Sequence, residues 1–360
     1  MSDHLYNTLL NFINIKVNLN HLIVKYLISN PIRDLMDEVF DGIYRVKVPL
    51  PKSPLRFVNS YIIMGNIPLI IDTGFNNDES FEVLNNAIEE LGIKNMMFFV
   101  THIHADHIGL IGRYLNNSGI FISQEEYKII EESSSSNDYW IKMNEYLIKN
   151  GFPKEELELA FNSLNKIFIG TYPNLLSMKF LPMKEEEKII VNGMNFSVIN
   201  TPGHSPGHAC LYNNENGIIF SGDHILFTIT PNITWWPSME DSLKNYMDSL
   251  KKIRDLKIEK TFPGHGEMGG NPKVRIEEIL KHHEKRLEEI VNVMDGELTP
   301  YEIASSIRWN LLNGEWNIFP KTQKYFALGE TIAHLVYLER KNIVRKFERN
   351  GIIYYKKTLK

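Results

Sequence analysis

The chain has a single cysteine, Cys210, among 360 residues. One thiol excludes an intramolecular disulfide and any zinc site built from several thiolates, and it suits a reducing cytosol. No run of about 18 apolar residues occurs, so no transmembrane segment is expected. A dominant charge is lacking as well. The 39 Lys and Arg stand against 44 Asp and Glu, and the net charge of -5 predicts no whole-chain attraction to nucleic acid or to an anionic membrane. Residues 1–35 lack the charged start, compact apolar block and small-residue cleavage site of a secretory signal. They are expected to form a helical extension that packs on the main domain or on a partner, with an interfacial helix as the weaker reading. A cytoplasmic protein is therefore expected. What is present, 43% hydrophobic and 11% aromatic residues, suits a globular protein long enough for one large domain and an appendage.

Strand patterns begin at GIYRVKV and continue through FVNSYIIMG and PLIIDTG, each short, rich in β-branched and aromatic residues, and bounded by Pro, Gly or Asn. Asp78 to Leu91 carries helical apolar spacing at Phe81, Leu84, Ala87, Ile88 and Leu91, with Gly92 as its stop. MMFFVT is a further strand. Residues 122–185 differ: their periodicity predicts a helical insertion, with helices over 137–150 and 153–167 and a solvated loop at the serine run 133–137. Strands return at KIIVNG, MNFSVINT, ACLYN and GIIFSG, so two sheets are implied. Ser242 to Leu256 reads as an amphipathic helix.

The densest chemistry lies in FFVTHIHADHIGL, where His102, His104, Asp106 and His107 occupy six positions. His102 and His104 are two apart at a strand end and are expected to project to one face. Asp106 is expected to double as a helix N-cap near Gly109. Three later residues follow strands in the same way: His204 in TPGHSPGH, Asp223 in SGDH and His265 in PGHGE, all among glycines that let backbone approach an ion closely. Imidazoles and carboxylates without thiolate suit Zn²⁺ first, with Fe or Mn also suited.

These motifs, in this order and strand context, resemble the metallo-β-lactamase superfamily over roughly residues 37–272. The resemblance implies an α+β fold, a four-layer αββα sandwich. It implies two divalent metal ions, His102, His104 and His204 on one and Asp106, His107 and His265 on the other, with Asp223 bridging. Asp72, after the third strand, matches an aspartate that orients the metal loop by hydrogen bonds. The lactam-hydrolysing enzymes carry a thiolate where Asp223 stands, and flavodiiron proteins carry Glu where His104 stands, so hydrolysis of another bond is expected. The implied mechanism uses a hydroxide bridging two metals, with Asp106 and Asp223 as catalytic residues, to cleave an ester, thioester or phosphodiester. Trp235 and Trp236, with Tyr139, Trp140 and Tyr146 of the insertion, are expected to wall the pocket. His208 and His224 stand beside ligands and have either a supporting or an ordinary packing role.

From Pro272 onward the order changes to helix, helix, helix and hairpin, with Asn350-Gly351 as a strong hairpin turn. Residues 273–360 resemble the small winged-helix domain of the lactamase-β-2-like branch. That gives three segments: a helical extension at 1–36, a catalytic domain at 37–272 and a winged helix at 273–360. Eight basic residues between Leu338 and Lys360 face two acids. They bring in RNA as a partner and a single-strand-specific endoribonuclease as the alternative to a small-molecule esterase or thioesterase. A homodimer contact is a further use of the module. A non-catalytic winged-helix regulatory or binding protein is the alternative of another class.

Overall fold

The computed structural model describes residues 35–51, 53–114, 118–135, 138–160, 175–309 and 315–358. The expected extension at 1–36 lies outside them except for its last two residues, and Met36 opens the first strand. Seven strands form one sheet: β1 (Met36–Phe40), β2 (Ile43–Pro49), β3 (Phe57–Ile63), β4 (Leu69–Ile71), β5 (Met97–Val100), β6 (Gly119–Ser123) and β7 (Phe180–Met183). They pair in chain order, antiparallel as far as β4 and parallel from there. The second sheet has five: β8 (Lys188–Val191), β9 (Met194–Asn200), β10 (Ala209–Asn213), β11 (Ile218–Gly222) and β12 (Lys260–Pro263). Only its β11–β12 pair is parallel.

Alternation along the strands sorts side chains between the two faces of each sheet. Ile43, Tyr61, Ile63, Ile71 and Phe99 of the first sheet meet Phe196, Val198, Leu211, Phe220 and Phe262 of the second in a core between the sheets. The alternate residues Val46, Val48, Ile62, Phe98 and Val100 face outward. There they bury against α1 (Asp78–Glu90), which offers Leu84, Ala87 and Ile88. Asn77 caps that helix by accepting from the Ser80 amide, and Gly92 follows its end at φ 68°. On the other side, Cys210, Tyr212 and Ile219 pack on α5 (Ser242–Arg254) and α6 (Pro272–Val293). The layers are helix, sheet, sheet, helix, as expected.

The insertion is narrower than 122–185. Strands β6 and β7 pair with each other and frame it, and between them lie α3 (Gln124–Ser135), α4 (Asp138–Lys149) and a helical segment at 154–160. Ser133 to Ser135 complete α3, contrary to the loop expected there; serine is a tolerable helix residue once the turn before it is packed. Residues 136–137 and 161–174 lie outside the described ones.

The C-terminal part comprises the end of α6, α7 (Pro300–Ser306), α8 (Lys321–Arg340) and the hairpin β13 (Val344–Arg349) and β14 (Ile352–Lys357). Thr299 and Glu302 form a reciprocal capping box at α7. Asn350 and Gly351, at φ 52° and 77°, make the tight turn their sequence called for. This part does not stand apart from the insertion. Leu147, Phe152 and Leu157 share a core with Leu328 and Ile332 of α8, and the Tyr301 amide donates to the Asn150 carbonyl.

Candidate metal centre

All the histidine and aspartate motifs leave their strands at one edge of the sandwich. Residues 101–104 follow β5, and the short helix α2 (Ala105–Ile108) turns Asp106 and His107 back over the edge. The helix begins after His104, which makes no side-chain cap, so Asp106 lies in the first turn and not at the N-cap expected for it. An acid at that position still faces the positive end of the helical peptide dipoles. His204 follows β9, Asp223 follows β11 and His265 follows β12.

These side chains converge. His104 Nδ1 lies 2.8 Å from His102 Nε2 and 3.0 Å from His204 Nε2. His265 Nε2 lies 3.2 Å from His107 Nε2 and 3.3 Å from Asp106 Oδ2. Asp223 reaches across: Oδ1 is 3.5 Å from His107 Nε2, and Oδ2 is 3.6 Å from His204 Nε2 and 3.5 Å from His265 Nε2. Three overlapping groups of ligand atoms have metal-binding compactness: His102 with His104 and His204, Asp106 with His107 and His265, and His102 with His107 and Asp223. All seven site residues expected from the sequence are brought together.

The outer faces of the rings determine what the inner faces can do. His204 Nδ1 donates to the Asn232 carbonyl at 2.9 Å, and His265 Nδ1 donates to the Phe57 carbonyl at 2.9 Å. His107 Nδ1 donates to Asp72 Oδ2 at 2.7 Å. The Thr101 hydroxyl donates to the same Asp72 oxygen and so accepts from His102 Nδ1. A carbonyl or carboxylate can only accept, which fixes a proton on each Nδ1 and leaves Nε2 of each neutral ring with a lone pair. Four such nitrogens, the His104 nitrogen and two carboxylates therefore face one another across about 3 to 4 Å. Asp223 Oδ1 is buried with no hydrogen-bond partner among the described residues. Such a set is mutually repulsive without cations and becomes satisfied with them, so the donor chemistry fits divalent ions.

The two groups differ electrically. Burial, then the neighbouring imidazoles, holds His102 well below the usual histidine range, and the same causes push His104 down to about 3. Burial also lowers His204. Burial opposes charge on His107 and His265 too, yet both are raised: Asp72, Asp223 and Asp106 prevail at His107, and Asp223 and Asp106 at His265. Against the same burial, the imidazoles hold Asp106 and Asp223 below the usual carboxylate range. Burial thus disfavours a proton on the three-histidine group, whereas the carboxylates favour one on His107 and His265 that a bound cation would displace.

Packing around the centre is close. A Cβ on Gly264 would stand 2.6 Å from Asp223 Oδ1 and 2.9 Å from His107 Cε1, so only glycine lets the β12 loop pass. Asp72 sits at φ 56°, a sparsely occupied region for a residue with a Cβ, and holds His107, the Thr101 amide and the Thr101 hydroxyl together. His208 supports Asp223 by accepting from its amide at 3.2 Å, while its Nδ1 meets the Thr201 hydroxyl. His224 packs edge-on against Tyr246 in the core. Trp236 is buried in the core against the site, stacked on His104 at 5.8 Å with its indole N–H on the His204 carbonyl. Trp235 stacks on Tyr146 at 3.9 Å. The side chains of Tyr139 and Trp140 lie outside the described ones.

Three supporting residues escaped the sequence reading. Glu126 is fully buried; it accepts from Ser205 Oγ and the Gly207 amide on one oxygen and from the Ile103 amide on the other, joining two ligand loops. Asn232 and Glu330 form a second tie, side chain to side chain at 2.9 Å. No local pattern marks any of them.

A two-sheet sandwich with such a cluster at one edge defines a metal-dependent hydrolase. A family model described as the metallo-beta-lactamase superfamily matches residues 53–265, more than half of the chain, and the chain belongs to that superfamily. It is 24% identical over 336 residues to the "Probable metallo-hydrolase YqjP" of Bacillus subtilis, covering 88% of this chain and 98% of that protein. It is 25% identical to the "Atrochrysone carboxyl ACP thioesterase" of Passalora fulva over 76% of this chain and 71% of that one. The crystal structure of a metallo-beta-lactamase family protein from Thermus thermophilus superposes with a TM-score of 0.74 at 28% identity, covering 89% of this chain and all of that chain. Among the described residues no helix is long and apolar enough to cross a membrane.

Proposed function

We propose that His102, His104 and His204 hold one divalent ion and Asp106, His107 and His265 a second, with Asp223 between them, and that the protein hydrolyses a small-molecule ester or thioester. The observation that carries the reading is the set of outward-tied imidazoles whose inner nitrogens face two carboxylates. Zinc fits the all-nitrogen and oxygen donor set, and iron or manganese are the other candidates. Bound divalent ions supply Lewis acidity toward a carbonyl or phosphoryl oxygen and activate water near neutral pH.

The protein's own groups do the rest. Asp106, whose side chain is 16% exposed, is the more open of the two carboxylates, and it is held ionised, suited to accept a hydrogen bond from an attacking water and orient it. Asp223 is placed to keep the two groups in register. Trp236 fixes the His104 ring plane and excludes water from its face. Cys210 is no substitute nucleophile, because it is buried on β10 with its thiol pushed up to about 12 by burial.

Residues 273–360 are read as a winged-helix module. Two observations favour a small substrate over RNA for it. Arg349 and Lys356 both pair with Glu297, and Lys346 lies over Tyr146 with its ammonium on the phenol oxygen. Much of the basic charge on the hairpin is therefore spent within the molecule, and Tyr146 leads through Trp235 to the site wall. The thioesterase relative points the same way. Metal analysis of the purified protein, with a panel of acyl esters, acyl thioesters, phosphodiesters and single-stranded RNA, tests the proposal. Two equivalents of metal and acyl turnover abolished by chelation are expected. RNA cleavage without acyl turnover would transfer the reading to the ribonuclease, and a protein with no bound metal and no turnover would leave the regulatory alternative.

A further inference from the structure

The side chain of Asn232 in the loop before α5 donates to Glu330 Oε2 at 2.9 Å, while its backbone carbonyl receives the His204 ring. Glu330 belongs to α8, 98 residues further along the chain, and is 8% exposed. Its other oxygen lies 3.3 Å from Arg286 Nε of α6, and Arg286 is itself held by Glu289, the Arg308 carbonyl and the face of Trp309. Three residues after Asn232, the Trp235 amide donates to the Gly329 carbonyl at 3.2 Å. Gly329 admits this contact because it has no Cβ, which would stand 2.0 Å from Thr234 Oγ1. The next residue, Trp236, stacks on His104 and bonds the His204 carbonyl. Residues 232–236 thus touch two of the three histidines of one group on one side and α8 on the other.

We infer that α8 completes the three-histidine half of the centre, with Glu330 as a positioning residue that acts through Asn232 on His204. The inference rests on the two-ion reading above and adds to it a role for the C-terminal module, which is to hold the loop that aims two ligands. The chemistry of the link is directional. The Asn232 carbonyl keeps the proton on His204 Nδ1 and the lone pair on Nε2, and the carbonyl stays in place because its own amide is anchored to a buried carboxylate. Among the described residues the Asp106, His107 and His265 group has no such dependence, since its ties run to Asp72 and to the Phe57 carbonyl within the sandwich.

The test uses the full-length protein stripped of metal and titrated with Zn²⁺ against a chromophoric chelator, and with Co²⁺ read by its visible absorption. In Glu330→Ala and in Asn232→Ala, one equivalent is expected to bind about tenfold more weakly or worse, the scale of a lost support behind a metal ligand, while the other stays within about twofold. Glu330→Gln, whose amide oxygen still accepts from Asn232, is expected to recover most of the affinity. The double variant is expected to resemble either single one, because both cut the same link. A His265→Ala background, which leaves the three-histidine group, is expected to retain the Glu330→Ala effect. Lys324→Ala removes a different buried contact of α8, the pair with Glu156, and serves as the control for general loosening. Equal weakening of both equivalents, no weakening of either, or the same pattern in Lys324→Ala would overturn the inference. A wild-type protein that binds fewer than two equivalents would overturn the two-ion reading and this inference with it.

Discussion

The two halves of the centre are built from similar residues by different means. Asp106, His107 and His265 include a carboxylate, and their supports lie inside the sandwich: Asp72 behind His107 and a β3 carbonyl behind His265. His102, His104 and His204 are neutral imidazoles. Only His102 leans on the sandwich, through Thr101, while His104 and His204 lean on a loop pinned by a C-terminal helix. Charge and independence go together in the first group. In the second, three imidazoles bring no carboxylate of their own, and the loop that aims two of them is held from outside the sandwich.

The comparison breaks most completely at Asp223, which belongs to both halves. Asp223→Ala is expected to lower the occupancy of both ions and to reduce turnover to the uncatalysed background, measured by metal content and initial rates on the same preparation. His107→Ala should also lose metal and activity together. Full activity in a preparation of either variant without bound metal would end the hydrolase reading.

A smaller and more selective effect is expected at Asp72. Asp72→Ala leaves the His107 ring, the Thr101 amide and the Thr101 hydroxyl without their common acceptor. Metal affinity should fall about 10- to 100-fold, the range for groups that orient a ligating histidine. The loss should be greater at the half with Asp106, where the support is direct, than at the three-histidine half, where it passes through Thr101. An equal loss at both, read in the same Zn²⁺ titration, would erase the distinction between the halves.

What the sequence disclosed follows the same division. His102 to His107 are legible because four ligand-type side chains crowded into one turn after an apolar strand have little use except to hold an ion, and His204, Asp223 and His265 repeat the strand-then-glycine setting. Apolar alternation likewise marks β2 to β5 and β8 to β12. The supports are a different matter, since each joins distant positions: Glu126 meets Ser205 across 79 residues, and Asn232 meets Glu330 across 98. A glutamate in QEEY reads as an ordinary first-turn acid, and its burial is decided by a loop that folds over it later. The edge strand MDEVF and the strand FLPM, which contains proline, carry too little β signal to be seen without the sheet they join.

The smallest effect belongs to Glu126, which serves the three-histidine half by tying the loop of His102 and His104 to the loop of His204. Burial pushes its carboxyl up to about 7, against the pull of the Ser205, Gly207 and Ile103 donors. A folded-state pKa above the unfolded value of about 4.3 means that between about pH 4.3 and 7 the folded chain holds more protons. This group's contribution to stability therefore falls as pH rises through that window and levels off above it. Glu126→Gln removes the titration and turns one acceptor into an amide NH2 donor that faces the Ile103 N–H, at a cost of about 1–3 kcal/mol. Melting temperatures of the two proteins at pH 5 and pH 8 should therefore lie closer together at the higher pH, with the variant the less stable at pH 5. The same gap at both pH values would show that the buried carboxyl does not change its protonation across the window.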